Sequence, residues 1–176
     1  MREQKGRKDG MTVESRLQES LKELMRQYSF DKITVGMITD RAGVRRPTFY
    51  NHFRDKYEVL ERIFQNEIGK AVCGLIMDGM HEEAIKVLFL RMEKDRTFYR
   101  RAMETTGQNS FEEILEENLC RIFLEGLCQY NIRSIPSLRY WRKEALVKYY
   151  ATGIINVVKE WLFEDEQEVP AEIIYE

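Results

Sequence analysis

Apolar residues recur every three or four positions along most of the chain, the pattern of helices with one buried face. The first such stretch is capped by Thr12, and its apolar positions are Val13, Leu17, Leu21, Leu24, Met25 and Tyr28. No stretch alternates as a half-buried strand would, and three prolines and ten glycines leave room for long helices. The sequence therefore predicts an all-α fold.

Two short helices follow close together. Thr34 is placed to cap a helix that ends near Arg41, and Gly43 suits the left-handed residue that often ends a helix. Pro47 suits the first turn of a next helix that reaches about His52, because the N–H that proline lacks has no partner there. Two short helices joined by a tight glycine-containing turn form a helix-turn-helix unit.

The rest of the chain reads as longer helices. Asp55 is placed to cap a helix that runs to about residue 79, and Ser110 with Glu113 has the spacing of a capping box. Pro136 is placed to begin the longest helix, and Pro170 a short helical tail. The predicted helices after residue 55 cover about 55–79, 81–93, 96–105, 110–131 and 136–164.

The second helix of the pair has the chemistry of a DNA-reading helix. Phe49 and Phe53 fit a buried side, and the outward positions carry hydrogen-bonding side chains. Arginine can bind guanine with two hydrogen bonds, and asparagine can do the same for adenine. Basic and hydroxyl groups at helix starts suit phosphate. The predicted DNA-binding residues are Thr34, Arg45, Arg46, Thr48, Tyr50, Asn51, His52 and Lys56.

Charge is unevenly distributed although the net charge is only −2. Residues 41–56 hold five basic residues and one acidic residue, whereas residues 160–176 hold seven acidic residues and no basic one. A basic N-terminal segment on an acidic remainder indicates that the former meets a polyanion. Ordinary solvated helix faces are the alternative that charge alone leaves open.

The run Thr48-Phe49-Tyr50-x-His52-Phe53-x-x-Lys56, preceded by Ile33-Thr34-Val35 and Arg41-Ala42-Gly43-Val44, resembles the DNA-binding domain of the TetR family of bacterial regulators. The resemblance covers about residues 13–60. It implies a three-helix DNA-binding domain at 1–55, with a flexible arm at 1–10, and an all-α regulatory and dimerisation domain at 56–176. It also implies that Tyr50, His52 and Lys56 contact phosphates, and that Arg45, Arg46 and Thr48 lie nearest the bases.

Within that family, the segments 20–25 and 30–34 resemble the branch named for dihydroxyacetone kinase regulators. The resemblance to the TetR family implies a repressor. Some members of this branch act as activators with protein or metabolite partners, so both senses of regulation stay open here.

The C-terminal domain has to receive the regulatory signal, from a small-molecule effector or from a protein partner. Methionine and aromatic residues at helical spacing could line a pocket for such an effector, and a plain hydrophobic core is the alternative reading. The candidate pocket residues are Phe89, Met92, Phe98, Tyr99, Met103, Phe123 and Trp141.

A helix-turn-helix protein reads a twofold site with two copies of its reading helix about 34–36 Å apart. We therefore expect a homodimer whose interface lies on helices 110–131 and 136–164. The apolar stripe of the last long helix contains two small residues, Ala145 and Gly153, that permit close packing. The candidate interface residues are Tyr149, Gly153, Ile154, Val157 and Trp161.

Several other classes of protein fit poorly. The chain has no H-E-x-x-H, no glycine-rich phosphate loop and no nucleophile elbow, so we expect no enzyme. Two histidines and three cysteines lack the spacing of a metal site, and we expect no metal or cofactor. No apolar run approaches the ~20 residues of a membrane span, and the polar start lacks the core of a signal peptide. We therefore expect a cytoplasmic protein. A protein-binding adaptor that uses this fold without DNA remains the alternative.

Overall fold

The computed structural model describes residues 10–107, 109–127, 142–164 and Ala171. Every regular element within these ranges is helical, which confirms the predicted fold class. The chain divides into two compact units, the first unit at Met1–Ile63 and the second unit at Phe64–Glu176. None of the described helices is both long enough and apolar enough to cross a lipid bilayer.

The first unit follows the predicted helix order. Its elements are α1 (Val13–Met25), a 3-10 turn (Phe30–Lys32), α2 (Val35–Ala42), α3 (Arg46–Tyr50) and the start of α4 (Lys56–Phe64).

The core of the first unit forms behind the two short helices. The hydroxyl of Thr12 accepts the N–H of Ser15 at 3.1 Å, so α1 begins where the sequence indicates. Leu17, Leu21 and Met25 are fully buried. The prediction for Tyr28 is wrong: α1 ends at Met25, so Tyr28 leaves the apolar face and is 43% exposed.

The second unit contains the remaining helices. They are α5 (Lys70–Met77), α6 (His81–Glu93), α7 (Arg96–Met103), α8 (Phe111–Leu127) and α9 (Lys143–Phe163), and a π turn (Gln65–Gly69) precedes α5.

The predicted helix at 55–79 is continuous but contains the π turn, which the apolar spacing did not indicate. A π turn is wider than an α turn and often marks a functional position. The guanidinium of Arg91 donates to the backbone carbonyl of Glu67 in this turn. The carboxylate of Glu67 accepts the hydroxyl hydrogen of buried Tyr99 at 2.7 Å. Residues of two neighbouring helices therefore hydrogen-bond to Glu67 of the turn.

The single long helix predicted from Pro136 is wrong in its extent. The backbone of Arg142 is extended, and α9 begins at Lys143. Its start lies seven residues after Pro136, which itself falls outside the described residues, as do Pro170 and all of the predicted arm at 1–10 except Gly10. Helix α8 begins where the capping-box spacing predicted. The hydroxyl of Ser110, just before its first residue, accepts the N–H of Glu113 at 3.2 Å.

Helices α5 and α8 pack unusually closely at Gly126. A Cβ atom placed on Gly126 would lie 2.6 Å from Cγ2 of Ile76, which is well inside normal contact. Ile76 is buried, and the branch at its Cβ restricts rotation about χ1. The absence of a side chain at residue 126 therefore allows this approach.

We expect Gly126→Ala to lower the free energy of unfolding by about 1–2 kcal/mol, because overpacking exceeds the gain in helix propensity. Gly74→Ala is the matched control: Gly74 lies within α5 with open space around its Cα, and alanine there should stabilise by about 0.5–1 kcal/mol. Urea unfolding at one fixed protein concentration measures both changes. Equal stabilisation by the two alanines would contradict the packing described for Gly126.

Candidate nucleic-acid interface

The turn between α2 and α3 has the geometry that its sequence predicted. Gly43 adopts a left-handed conformation with φ of 66°, which a residue with a Cβ adopts only with strain. The N–H of Gly43 donates to the carbonyl of Asp40 at 3.3 Å, and that of Val44 donates to the carbonyl of Thr39 at 3.0 Å. These bonds end α2 and direct the chain into α3.

Two phenylalanines hold α3 from its inner side. Phe49 is fully buried, Phe53 is 2% exposed, and the centres of their rings lie 5.9 Å apart. Pro47 lies in the first turn of α3, as predicted. A helix of five residues is unstable alone, so these buried rings fix its orientation.

The outward side of α3 and its flanks is exposed. Arg45, Arg46, Asn51 and His52 are exposed, and Tyr50 is 55% exposed. Within the part of the chain that the structure describes, the guanidinium groups of Arg45 and Arg46 have no hydrogen-bond or ion-pair partner. The two guanidinium groups are thus available to an external ligand.

The two predicted threonines differ in their surroundings. Thr34 is exposed and caps α2, since its hydroxyl accepts the N–H of Met37 at 3.2 Å. Thr48 is half-buried beside the exposed positions of α3. Both hydroxyl groups retain a hydrogen that can be donated.

Lys56 does not present its ammonium group outward as predicted. Its Nζ donates to the backbone carbonyls of Phe30 at 2.8 Å, Ile33 at 3.0 Å and Asp31 at 3.3 Å. Burial lowers the pKa of Lys56 below its usual value, while nearby Asp31 opposes this shift. The sequence indicated a basic residue at a helix start but could not show which way its side chain turns.

Arg54 is an exposed basic residue that the sequence interpretation did not assign to the site. Its side chain is 84% exposed, and its backbone N–H and Nε both donate to the carboxylate of Glu58, at 2.7 and 3.1 Å. The hydrogen bond from the Arg54 backbone lowers the pKa of Glu58. The spacing of four residues between the two charges was the available signal.

Two sequence profiles match the chain. The profile described as "Bacterial regulatory proteins, tetR family" matches residues 19–63, which include α2, the turn and α3. The profile described as "Transcriptional regulator C-terminal region" matches residues 80–176, more than half of the chain. The chain belongs to the TetR family. It is therefore a DNA-binding transcriptional regulator, and the family is not one of enzymes.

One known transcriptional activator resembles the chain over most of its length. The HTH-type dhaKLM operon transcriptional activator DhaS of Lactococcus lactis is 26% identical over 161 residues, which are 87% of this chain and 81% of that protein. This name falls in the branch that the sequence resembled.

Solved structures share the fold at low identity. The dihydroxyacetone kinase operon activator DhaS aligns with a TM-score of 0.60 at 19% identity over 93% of this chain and 89% of its own. A TetR-family regulator from Syntrophomonas wolfei has a TM-score of 0.69 at 13% identity, with the same coverage of both chains. The fatty acid degradation regulator FadR from Bacillus halodurans has a TM-score of 0.62 at 16% identity over 92% of each chain.

The candidate pocket residues of this TetR-family chain lie mostly in the core of the second unit. Phe89, Met92, Phe98, Tyr99 and Met103 are at most 5% exposed, whereas Phe123 is half-buried. Trp141 lies outside the described residues. The ring of Phe98 packs edge-on against that of Tyr99, with their centres 5.0 Å apart. These contacts agree with the plain-core alternative as well as with a pocket wall.

Four of the five candidate interface residues lie on the accessible side of α9. Tyr149 is 69% exposed, Val157 is 47% exposed, Gly153 is exposed and Ile154 is half-buried. Trp161 is the exception, at 2% exposure, and its assignment to the interface is corrected. Its ring lies 5.2 Å from that of Phe89 and 4.5 Å from the guanidinium carbon of Arg96. Trp161 therefore belongs to the core of its own unit.

Proposed function

We propose that this regulator binds a twofold operator in double-stranded DNA as a homodimer, with α3 in the major groove. The observation that carries the proposal concerns the two faces of α3. The guanidinium groups of Arg45 and Arg46, at the start of the helix, are exposed and have no partner within the described residues, while Phe49 on its inner side is fully buried. Such a helix can read the major groove only if its hydrogen-bond donors face outward while its inner side is anchored to the protein core. We place the protein in the cytoplasm, where bacterial DNA lies.

The roles of the individual side chains follow from their chemistry and exposure. Arg45, Arg46 and Thr48 lie nearest the bases, and Asn51 suits adenine. Tyr50 and His52, exposed at the end of α3, and Thr34, at the start of α2, contact phosphates. In this arrangement residues 1–55 bind DNA and residues 56–176 carry regulation and dimerisation.

We expect the double variant Arg45→Ala/Arg46→Ala to bind its operator at least tenfold more weakly, because each lost base contact costs about 1–3 kcal/mol. Mobility shift on fragments of the source genome, followed by anisotropy titration on the selected duplex, measures the change. Arg100→Ala/Arg142→Ala is the matched control, since it removes two exposed guanidinium groups from the second unit.

Operator affinity that is unchanged in the Arg45/Arg46 variant would count against the reading role of α3. A wild-type protein that gives no salt-sensitive, sequence-selective shift would instead favour the adaptor alternative.

The homodimer is supported by the apolar surface of α9. A shallow groove of about 710 Å³ is lined by residues that include Tyr149, Gly153 and Ile154. Exposed aromatic and aliphatic side chains on one helix are typical of surfaces that a partner covers. A second copy of the same helix would bury them and bring two reading helices together.

We expect Val157→Glu to convert the dimer to a monomer at micromolar concentration, because a carboxylate would be buried in an apolar interface. Leu90→Glu is the matched control: Leu90 is an apolar residue of α6 with similar exposure, 37%, outside the proposed interface. Light scattering with size-exclusion chromatography measures both. A Val157→Glu protein that stays dimeric, or a wild-type monomer, would overturn this interface.

Regulation enters through residues 56–176, by an effector or a protein partner that binds one arrangement of the dimer better than another. The candidate pocket residues named above are the proposed wall of an effector site. Because a relative with 26% identity is named an activator, we propose activation as the sense of regulation in place of repression.

Deletion of the gene should therefore lower transcription of the operon next to the operator severalfold, because an activator supplies contacts that recruit polymerase. Transcript counting in the deletion strain and in a complemented strain measures this effect. A rise in the same transcripts after deletion would identify a repressor.

A further inference from the structure

Lys56 links the two ends of the helix-turn-helix segment. It is the first residue of α4, yet its ammonium group lies among three carbonyls of the turn that precedes α2, those of Phe30, Asp31 and Ile33, at 2.8–3.3 Å. The ammonium nitrogen also lies 4.5 Å from the centre of the Phe30 ring. The chain between Ile33 and Lys56 contains α2, the turn, α3 and the short connection at residues 51–55.

The three carbonyls provide a matched site for an ammonium group. Lysine carries three N–H donors and no acceptor, and here each donor has a carbonyl in reach. Phe30 and Ile33 are 3% and 1% exposed, so their carbonyls have little access to water. Removing the ammonium would leave buried acceptors with weaker partners, which is unfavourable.

The contacts bear directly on the reading helix. Ile33 is followed by Thr34, the cap of α2, and Lys56 comes three residues after Phe53, whose ring anchors the end of α3. A shift of the turn at Phe30–Lys32 relative to α4 would therefore displace both ends of the segment that carries Arg45 and Arg46. A displacement of about 1 Å is enough to lose a directional hydrogen bond to a base edge.

We propose that Lys56 is a positioning residue, which sets the orientation of α3 by holding the turn before α2 against the start of α4, and that it does not contact DNA phosphate. This inference rests on the proposed DNA-binding function. A phosphate contact would require the ammonium group to leave all three carbonyls. The depressed pKa of Lys56 agrees with an inward, dehydrated ammonium.

Two substitutions of Lys56 separate positioning from phosphate contact. Lys56→Arg keeps the charge, but a planar guanidinium cannot converge on three carbonyls as an ammonium does. Lys56→Met removes the charge and keeps most of the side-chain length. Lys32→Met is the matched control, since Lys32 is an exposed lysine in the same turn. Each full-length variant is titrated with the selected operator and with a scrambled duplex over a series of salt concentrations.

We expect the ratio of operator affinity to scrambled-duplex affinity to fall about tenfold in both Lys56 variants. A loss of this size corresponds to roughly one lost base contact. The slope of log affinity against log salt on scrambled DNA should equal that of the wild type in both. Lys32→Met should keep the wild-type ratio. A residue that only stabilises the fold would lower the melting temperature without changing this ratio.

The opposite pattern would overturn the proposal. A Lys56→Arg protein that discriminates like the wild type, with a Lys56→Met slope reduced by about 0.9 per protomer, would identify a phosphate contact. Unchanged ratios in both variants would reduce Lys56 to a stabilising role. If the proposed DNA-binding function itself were wrong, the result would be distinguishable, because the wild-type protein would then show no salt-sensitive binding to any duplex.

The inward contact can also be tested without DNA. An ammonium group held by three carbonyls exchanges its protons slowly, so the wild type should give a Lys56 ammonium signal in a nitrogen-15 spectrum that Lys56→Arg lacks. A Lys56 ammonium that exchanges as fast as that of Lys32 would overturn the contact itself.

Discussion

A helix of five residues does not persist in water without tertiary support, and α3, the proposed reading helix, is of this length. Burial of Phe49 and Phe53 supplies that support, because removing both rings from water fixes α3 from its inner side. Tyr50, Asn51 and His52, which lie between the two rings in sequence, are exposed. Arg45 and Arg46 are exposed at the start of the helix that these two phenylalanines anchor.

The structure surrounds this helix with local constraints of different kinds. Gly43 sets the direction of the chain into α3 through a left-handed backbone, and Thr34 satisfies an N–H at the start of α2. Lys56 joins the two ends of the segment through backbone carbonyls. Each of these contacts is made within residues 30–56, so one short stretch of sequence holds the constraints on α3.

Much of the fold and the site could be predicted because local rules determine them. The caps at Thr12 and Thr34, the turn at Gly43 and the buried Phe49 follow from neighbouring residues alone, and the structure confirms all four. The inward direction of Lys56 and the burial of Trp161 depend on partners 23 and 72 residues away, Ile33 and Phe89. Helical periodicity could not reveal such partners, nor could it reveal a π turn within an unbroken apolar stripe.

Whether an anchored α3 reads base edges is tested most directly by selecting duplexes from a random pool with the unmodified protein. A dimer with one reading helix per protomer should enrich two symmetric half-sites whose centres lie about 34–36 Å apart, roughly one helical turn, or a multiple of that distance. Recovery of duplexes with no shared sequence, whose affinity depends only on salt and falls as the salt concentration rises, would contradict a base-reading role for α3.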